Sequence, residues 1–212
     1  SFSFLIFFSN FLLNTSFKNN VGIIDIKLAL PHLSPRPLMV PCIWRAPANT
    51  AVKEFETAFS GNHLILFGVN RTVPGEFKNQ IFNSLVIINN KFDILFEYDK
   101  LKLVPFGEIL PFEKSLRKIG LKKITEGYGS FSRGKKSNIF SDNGLKLLPL
   151  ICYEIIFPEL SQIYKQKNLI VNISEDAWFG KTIGPDQHLA KAIFRSVENN
   201  VFLVRSANKG FS

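Results

Sequence analysis

Six short apolar runs set what this chain can fold into. They are HLILFGV (63–69), FNSLVIIN (82–89), FDILFEY (92–98), LKLLPLI (145–151), NLIVNIS (168–174) and VFLVRS (201–206). Each has strand length and is bounded by polar or turn-forming residues, so each is expected as a strand. The second and third flank Asn89, Asn90 and Lys91 and are expected to form a hairpin. Helical spacing fills the intervals. AVKEFETAF (51–59) puts Val52, Phe55 and Phe59 on one face, and EKSLRKIGL (113–121) is a short basic helix. EIIFPELSQIYKQ (154–166) is expected to be a third helix. PDQHLAKAIFRSVENN (185–200) gives the clearest signal, with Pro185 near its start and Leu189, Ala192, Ile193 and Val197 on one face. Helices alternating with apolar strands make the chain α/β with one hairpin insertion.

The remainder is less regular. Residues 15–50 run from an apolar rhythm, IIDIKLAL, into PHLSPRPLMVPC, whose four prolines make it irregular or disrupted. The opening SFSFLIFFSNFLL is too short to cross a bilayer alone, which takes roughly 20 residues. It lacks the basic start of a signal peptide. Residues 1–14 are expected either as the end of a transmembrane helix or as an aromatic-rich helix or strand packed in a core. The domain proper is expected over 51–212, incomplete at its C-terminus.

Among 212 residues, 46% hydrophobic and 20% charged, there is enough apolar material for one sizeable core. The formal net charge is +9, with clusters at 114–123 and 133–136. No nucleic-acid recognition motif accompanies it, and aromatics do not interleave with the basic residues as a stacking platform requires. Proximity to an anionic membrane or a solvated lysine-rich face remains. Two cysteines, Cys42 and Cys152, and three scattered histidines, His32, His63 and His188, supply neither a disulfide framework nor metal-type spacing. No metal and no cofactor is expected.

Four polar segments interrupt the apolar pattern. In LICYE (150–154), Cys152 stands where a strand stops and a helix begins. A side chain on such a turn is exposed near the positive end of a helix dipole, a setting that favours a thiolate. A packed structural cysteine is the alternative on this stretch alone. In YDKLKLVPFGE (98–108), Lys100 follows a strand and Glu108 comes eight residues later. A partly buried lysine can hold a thiolate and donate to an oxyanion, and Glu108 can pair with it, whereas a solvated lysine is the plainer reading. In NISEDAWFGKTIGPDQH (172–188), Trp178 and Phe179 offer apolar surface on a loop after a buried strand, where α/β proteins place ligand contacts. RSANKG (205–210) is the fourth.

Taken in this order, the four segments resemble the apolipoprotein N-acyltransferase family, bacterial inner-membrane enzymes with a nitrilase-like domain. The resemblance runs from about Trp44 to Ser212. It implies an α-β-β-α sandwich, here truncated at both ends, with Cys152 as nucleophile, Lys100 as catalytic lysine and Glu108, Tyr153 and Glu154 in support. Trp44, Trp178, Phe179 and His188 become candidate substrate contacts. The implied reaction passes a phospholipid acyl chain through a cysteine thioester to the N-terminal amine of a diacylglyceryl lipoprotein, at the inner membrane and facing the periplasm. The membrane, the phospholipid donor and the lipoprotein acceptor are the implied partners. One departure matters. The family's W-P-E segment, source of the general-base glutamate, reads Trp44-Arg45-Ala46 here. Ala46 therefore stands at the general-base position, with Glu54 and Glu56 the nearest substitutes. A soluble nitrilase-type amidase and a non-catalytic lipid- or protein-binding remnant are the alternative readings.

Overall fold

The computed structural model describes residues 3–7, 23–27, 59, 61, 63–75, 79–109, 130–208 and 210–212, the first two stretches as backbone only. Two sheets carry the architecture. The first comprises β1 (Ser3–Phe7), β2 (Ile23–Lys27), β3 (His63–Val73), β4 (Gln80–Ile88) and β5 (Ile94–Asp99), in the order β2-β1-β3-β4-β5. Only the β1–β3 pair in it is parallel. The second comprises β6 (Phe140–Asp142), β7 (Leu145–Ile151), β8 (Leu169–Glu175) and β9 (Phe202–Asn208), in that order. Here β7, β8 and β9 run parallel and β6 returns antiparallel.

The sheets pack face to face. From the first, Leu64, Leu66, Leu85, Ile87 and Tyr98 point inward. They meet Leu147, Ile151, Leu169, Val171, Ile173 and Val204 of the second. Alternate residues point outward: Ile65 and Ile88 meet Phe59. On the second sheet, Leu148, Leu150 and Ile170 pack against Ile155, Leu160 and Ala192. Central strands are therefore buried on both faces, which is why their sequences are continuously apolar instead of alternating. The sheets approach closely at Gly68, where a Cβ would lie 3.1 Å from Ile173 Cδ1.

The expected hairpin forms. Asn89 Oδ1 accepts from the main-chain N–H of Lys91 and of Asp93, both at 2.9 Å, and Phe92 takes φ 64° to complete the turn. The Asn143-Gly144 turn, with φ values of 43° and 83°, folds the short β6 onto β7. An Asn-Gly pair between apolar residues is the signal for such a hairpin. The opening run contributes Ser3–Phe7 as a strand within the first sheet. Among the described residues no helix is long and apolar enough to cross a membrane. The expected basic helix at 113–121, the segment 28–50 and all but Phe59 of the helix expected at 51–59 lie outside the described residues.

Two helical expectations need correction. The stretch 154–166 is not one helix. A 3₁₀ turn, Cys152–Ile156, gives way to extended Phe157 (φ −91°, ψ 106°), and only then does the short helix α1 (Pro158–Gln162) begin. Pro158 has no N–H to donate backward and pushes the residue before it out of the helical region. Helix α2 (Gly184–Asn199) forms close to the expected bounds and ends at left-handed Asn200. Its inward face is different from the expected one. His188, Ala192 and Arg195 are buried, while Ile193, Phe194 and Val197 are exposed. A buried polar cluster, described below, determines that rotation.

Leu66→Ala should lower the unfolding free energy by about 2–5 kcal/mol, because it opens a cavity between the sheets. Val197→Ser, on the exposed side of α2, should change it by less than about 0.5 kcal/mol. Urea unfolding of both variants checks the pair.

Candidate active site

Lys100 follows β5 directly and is 1% exposed. Its main chain is fixed on both sides. Its N–H donates to Asn83 O at 2.8 Å, and its carbonyl accepts from Gly134 N–H at 2.8 Å. The ammonium meets Glu108 at 3.0 Å (Oε1) and 2.9 Å (Oε2). Glu108 is itself held: Asn83 Nδ2 donates to Oε1 at 2.7 Å and Val104 N–H to Oε2 at 2.9 Å. Burial alone would lower the lysine pKa. Electrostatic attraction toward Cys152, Glu108 and Glu154 outweighs it, and the lysine is held above its ordinary value. Lys100 and Cys152, distant in sequence, thus interact electrostatically in the fold. The lysine is a fixed, buried cation and not a solvated one.

Cys152 sits where β7 ends and the 3₁₀ turn starts. Its φ is +50°, in the left-handed region that side chains with a Cβ avoid. The residue is partly exposed and its thiol is free. Tyr153 follows, its ring edge-on to Phe157 at 5.0 Å between centroids.

Glu154, in the same turn, is fully buried and does not line an open surface. Its Oε1 accepts from Leu101 N–H at 2.6 Å, Lys102 N–H at 3.1 Å and Tyr98 Oη at 3.0 Å. Its Oε2 accepts from Ile151 N–H at 2.8 Å and Tyr98 Oη at 3.0 Å. One carboxylate therefore ties the segment after Lys100 to the residue before Cys152. Burial pushes its carboxyl above the ordinary range, against the pull of the Ile151 amide, the Lys100 charge and the two loop amides.

The aromatic pair lies at the surface. Trp178 is 51% exposed and Phe179 37%, both on the 3₁₀ turn Asp176–Phe179. The Trp178 ring covers Gly107, where a Cβ would come within 2.6 Å of Cζ3. The loop that carries Glu108 is therefore packed beneath this indole. Phe106, the neighbour of Gly107, is also exposed.

His188 is not at that rim. It is buried beneath Cys152, and its Nε2 lies 3.1 Å from the Cys152 carbonyl oxygen. Its Nδ1 is 2.9 Å from Asp176 Oδ1. Arg205 Nη2 donates to Asp176 Oδ2 at 2.6 Å, and Arg205 Nη1 donates to Asn172 Oδ1. Asn172 Nδ2 donates to Leu150 O at 2.8 Å. Asn83, Tyr98, Asn172, Asp176 and Arg205 were not singled out individually from sequence. A signal is present for one of them: Asn172 and Ser174 are polar residues two apart in an otherwise apolar strand, so they share one face of β8. Trp44, Ala46, Glu54 and Glu56 lie outside the described residues. Among the described residues, no group of three His, Cys, Asp or Glu side chains is placed to hold a metal ion.

A buried lysine–glutamate pair coupled to a cysteine on a strand-to-turn corner, between two packed sheets, suits acyl chemistry at sulfur. Residues 56–212 match the carbon-nitrogen hydrolase family, and the chain belongs to that family. Its sequence is 40% identical over 167 residues to the apolipoprotein N-acyltransferase of Rhizobium leguminosarum bv. trifolii, covering 76% of this chain and 31% of that protein. It is 44% identical over 166 residues to the apolipoprotein N-acyltransferase of Brucella suis biovar 1, with the same coverage of each. The matched region thus spans about a third of the length of these relatives. In fold, the chain is similar to the glutamine-dependent NAD+ synthetase of Acinetobacter baumannii. The TM-score is 0.52 at 15% identity, over 76% of this chain and 26% of that one.

Asp176 gives the site an acid limit. Burial alone would raise its carboxyl; the bonds with His188 and Ser174 and the Arg205 charge outweigh this and hold it below the usual carboxylate range. A depressed folded value stabilises the fold above the unfolded pKa, near 4, and that contribution is lost as pH falls through the folded value. Urea unfolding at stepped pH should therefore show stability falling on acidification below about pH 4. Asp176→Asn should flatten that part of the curve; identical slopes would contradict the assignment.

Proposed function

We propose that this chain is the catalytic domain of an apolipoprotein N-acyltransferase, with Cys152 as nucleophile. The observation that carries the reading is the buried Lys100–Glu108 pair, electrostatically coupled to a cysteine held in left-handed conformation at the end of β7. Identity of 40–44% to proteins of that name supports the same assignment.

In the proposed reaction the Cys152 thiolate attacks the ester carbonyl of a phospholipid. A C–S bond forms, the ester C–O bond breaks, and the lysophospholipid leaves as its alkoxide, which takes a proton from water. The Lys100 ammonium and the Tyr153 main-chain N–H stabilise the oxyanion. The α-amine of a diacylglyceryl-cysteine then attacks the thioester. The C–S bond breaks as an amide C–N bond forms, the thiolate is released, and the amine gives up a proton to water. Glu108 keeps the lysine charged and in place through both halves. The exposed Trp178, Phe179 and Phe106 make an apolar rim suited to an acyl chain, a feature that a small-amide hydrolase does not need. The domain is proposed to work at the inner membrane, facing the periplasm.

Incubation of the protein with phospholipid should add an acyl mass to Cys152, detected by peptide mass spectrometry. Cys152→Ala should show none. No adduct on wild type, together with hydrolysis of short amides, would instead favour an amidase. Neither activity would favour a non-catalytic lipid- or protein-binding chain.

The proton from the attacking amine meets no carboxylate at the W-P-E position, because Ala46 occupies it. Ala46→Glu should raise acyl transfer to a lipopeptide amine, by up to the roughly 10²–10⁴-fold that a general base supplies. An unchanged rate would mean that another group takes the proton.

A further inference from the structure

We propose that His188 is a positioning residue for the nucleophile. It clamps the Cys152 carbonyl from below and so maintains the left-handed main chain that presents the sulfur. This rests on the reading of Cys152 as nucleophile.

A residue with a Cβ at positive φ persists only where its surroundings hold it there. Two side chains reach the Cys152 carbonyl: His188 Nε2 at 3.1 Å, and Asn172 Nδ2 at the outer limit of 3.5 Å. A carbonyl oxygen only accepts, so Nε2 carries a proton and donates. The ring cannot turn away. Nδ1 is 2.9 Å from Asp176 Oδ1 and 3.3 Å from both Ser174 Oγ and Arg205 Nη2. The Phe179 ring stands edge-on at 5.6 Å between centroids.

The contacts then close into a circuit. From His188 they pass through Asp176, Arg205 and Asn172 and return to the end of β7, just before the turn, because Asn172 donates to Leu150 O. The carbonyls on either side of Ile151 are thus gripped by the two ends of one buried network. Asn172, Asp176, His188 and Arg205 are each no more than 5% exposed. An apolar layer would pack α2 on the sheet without desolvating two charged groups, so attachment of the helix does not by itself explain this cluster. Control of the turn does.

The test uses the rate of Cys152 alkylation by iodoacetamide, read by peptide mass spectrometry on the full chain. In His188→Gln the amide nitrogen reaches the place of Nε2 and can still donate to the Cys152 carbonyl. In His188→Asn it reaches only the place of Nδ1, keeping the Asp176 contact and losing the carbonyl. His188→Asn should slow alkylation by about tenfold to a hundredfold, the scale of a misplaced reacting group. His188→Gln should stay close to wild type. A general loss of packing would slow both alike. Wild-type alkylation in His188→Asn, or equal slowing in both folded variants, overturns the proposal. Should His188→Asn not fold, Asp176→Asn takes its place: it should alkylate slowly, and a wild-type rate there overturns the proposal equally. No lipid enters this assay. Absence of an acyl adduct on Cys152 would therefore remove its role as nucleophile without touching the hold of His188 on the turn, and unchanged alkylation here leaves acyl transfer intact.

Discussion

A lysine ammonium with almost no solvent contact is the constraint around which the site is organised. Removing such a group from water costs on the order of several kcal/mol, recovered only by close, well-oriented opposite charge. Glu108 supplies it through both oxygens, at 3.0 and 2.9 Å. That pairing requires the loop after β5 to turn back on itself, which the Val104 amide and Asn83 secure. Trp178 then closes over Gly107. The position of Lys100 thus depends on residues from β4, from its own loop and from the turn after β8.

Three carboxylates surround this region and do three different things, because each has different partners. Glu108 pairs with a cation. Glu154 has main-chain amides and a tyrosine hydroxyl as its bonding partners, and so works as a staple between the first sheet and the Cys152 turn. Asp176 lies between Arg205 and His188 and anchors a layer beneath Cys152. The main chain of the cysteine turn is consequently held from the Lys100 side and from the α2 side. Cys152 itself is partly exposed and packs against the core between the sheets.

The orientation of α2 shows the same polar network acting on packing. A stripe of Leu189, Ala192, Ile193 and Val197 is the apolar face by spacing, yet Ile193 and Val197 are exposed. His188 must reach the Cys152 carbonyl, and Arg195 lies two turns further along the same buried side. Rotating the helix to bury the aliphatic stripe would break the His188 contacts with Cys152 and Asp176. Leaving buried hydrogen-bonding groups unpaired costs about 1–3 kcal/mol each, which opposes that rotation.

The sequence by itself determined six strands, β3, β4, β5, β7, β8 and β9, the hairpin between β4 and β5, and the candidates Cys152, Lys100 and Glu108. Periodicity, turn residues and motif order are local properties that survive without knowledge of the fold. It did not determine that Glu154 would face inward, that His188 would lie under the cysteine and not at the rim, or that Asn83, Asp176 and Arg205 would belong to the site. Those roles depend on which groups meet across β4, β5, β7, β8, β9 and α2, and a side chain's partners there are set by sheet register and helix rotation. Only the tertiary structure decided them, because the energy of a buried polar group depends on its neighbours in space far more than on its neighbours in the chain.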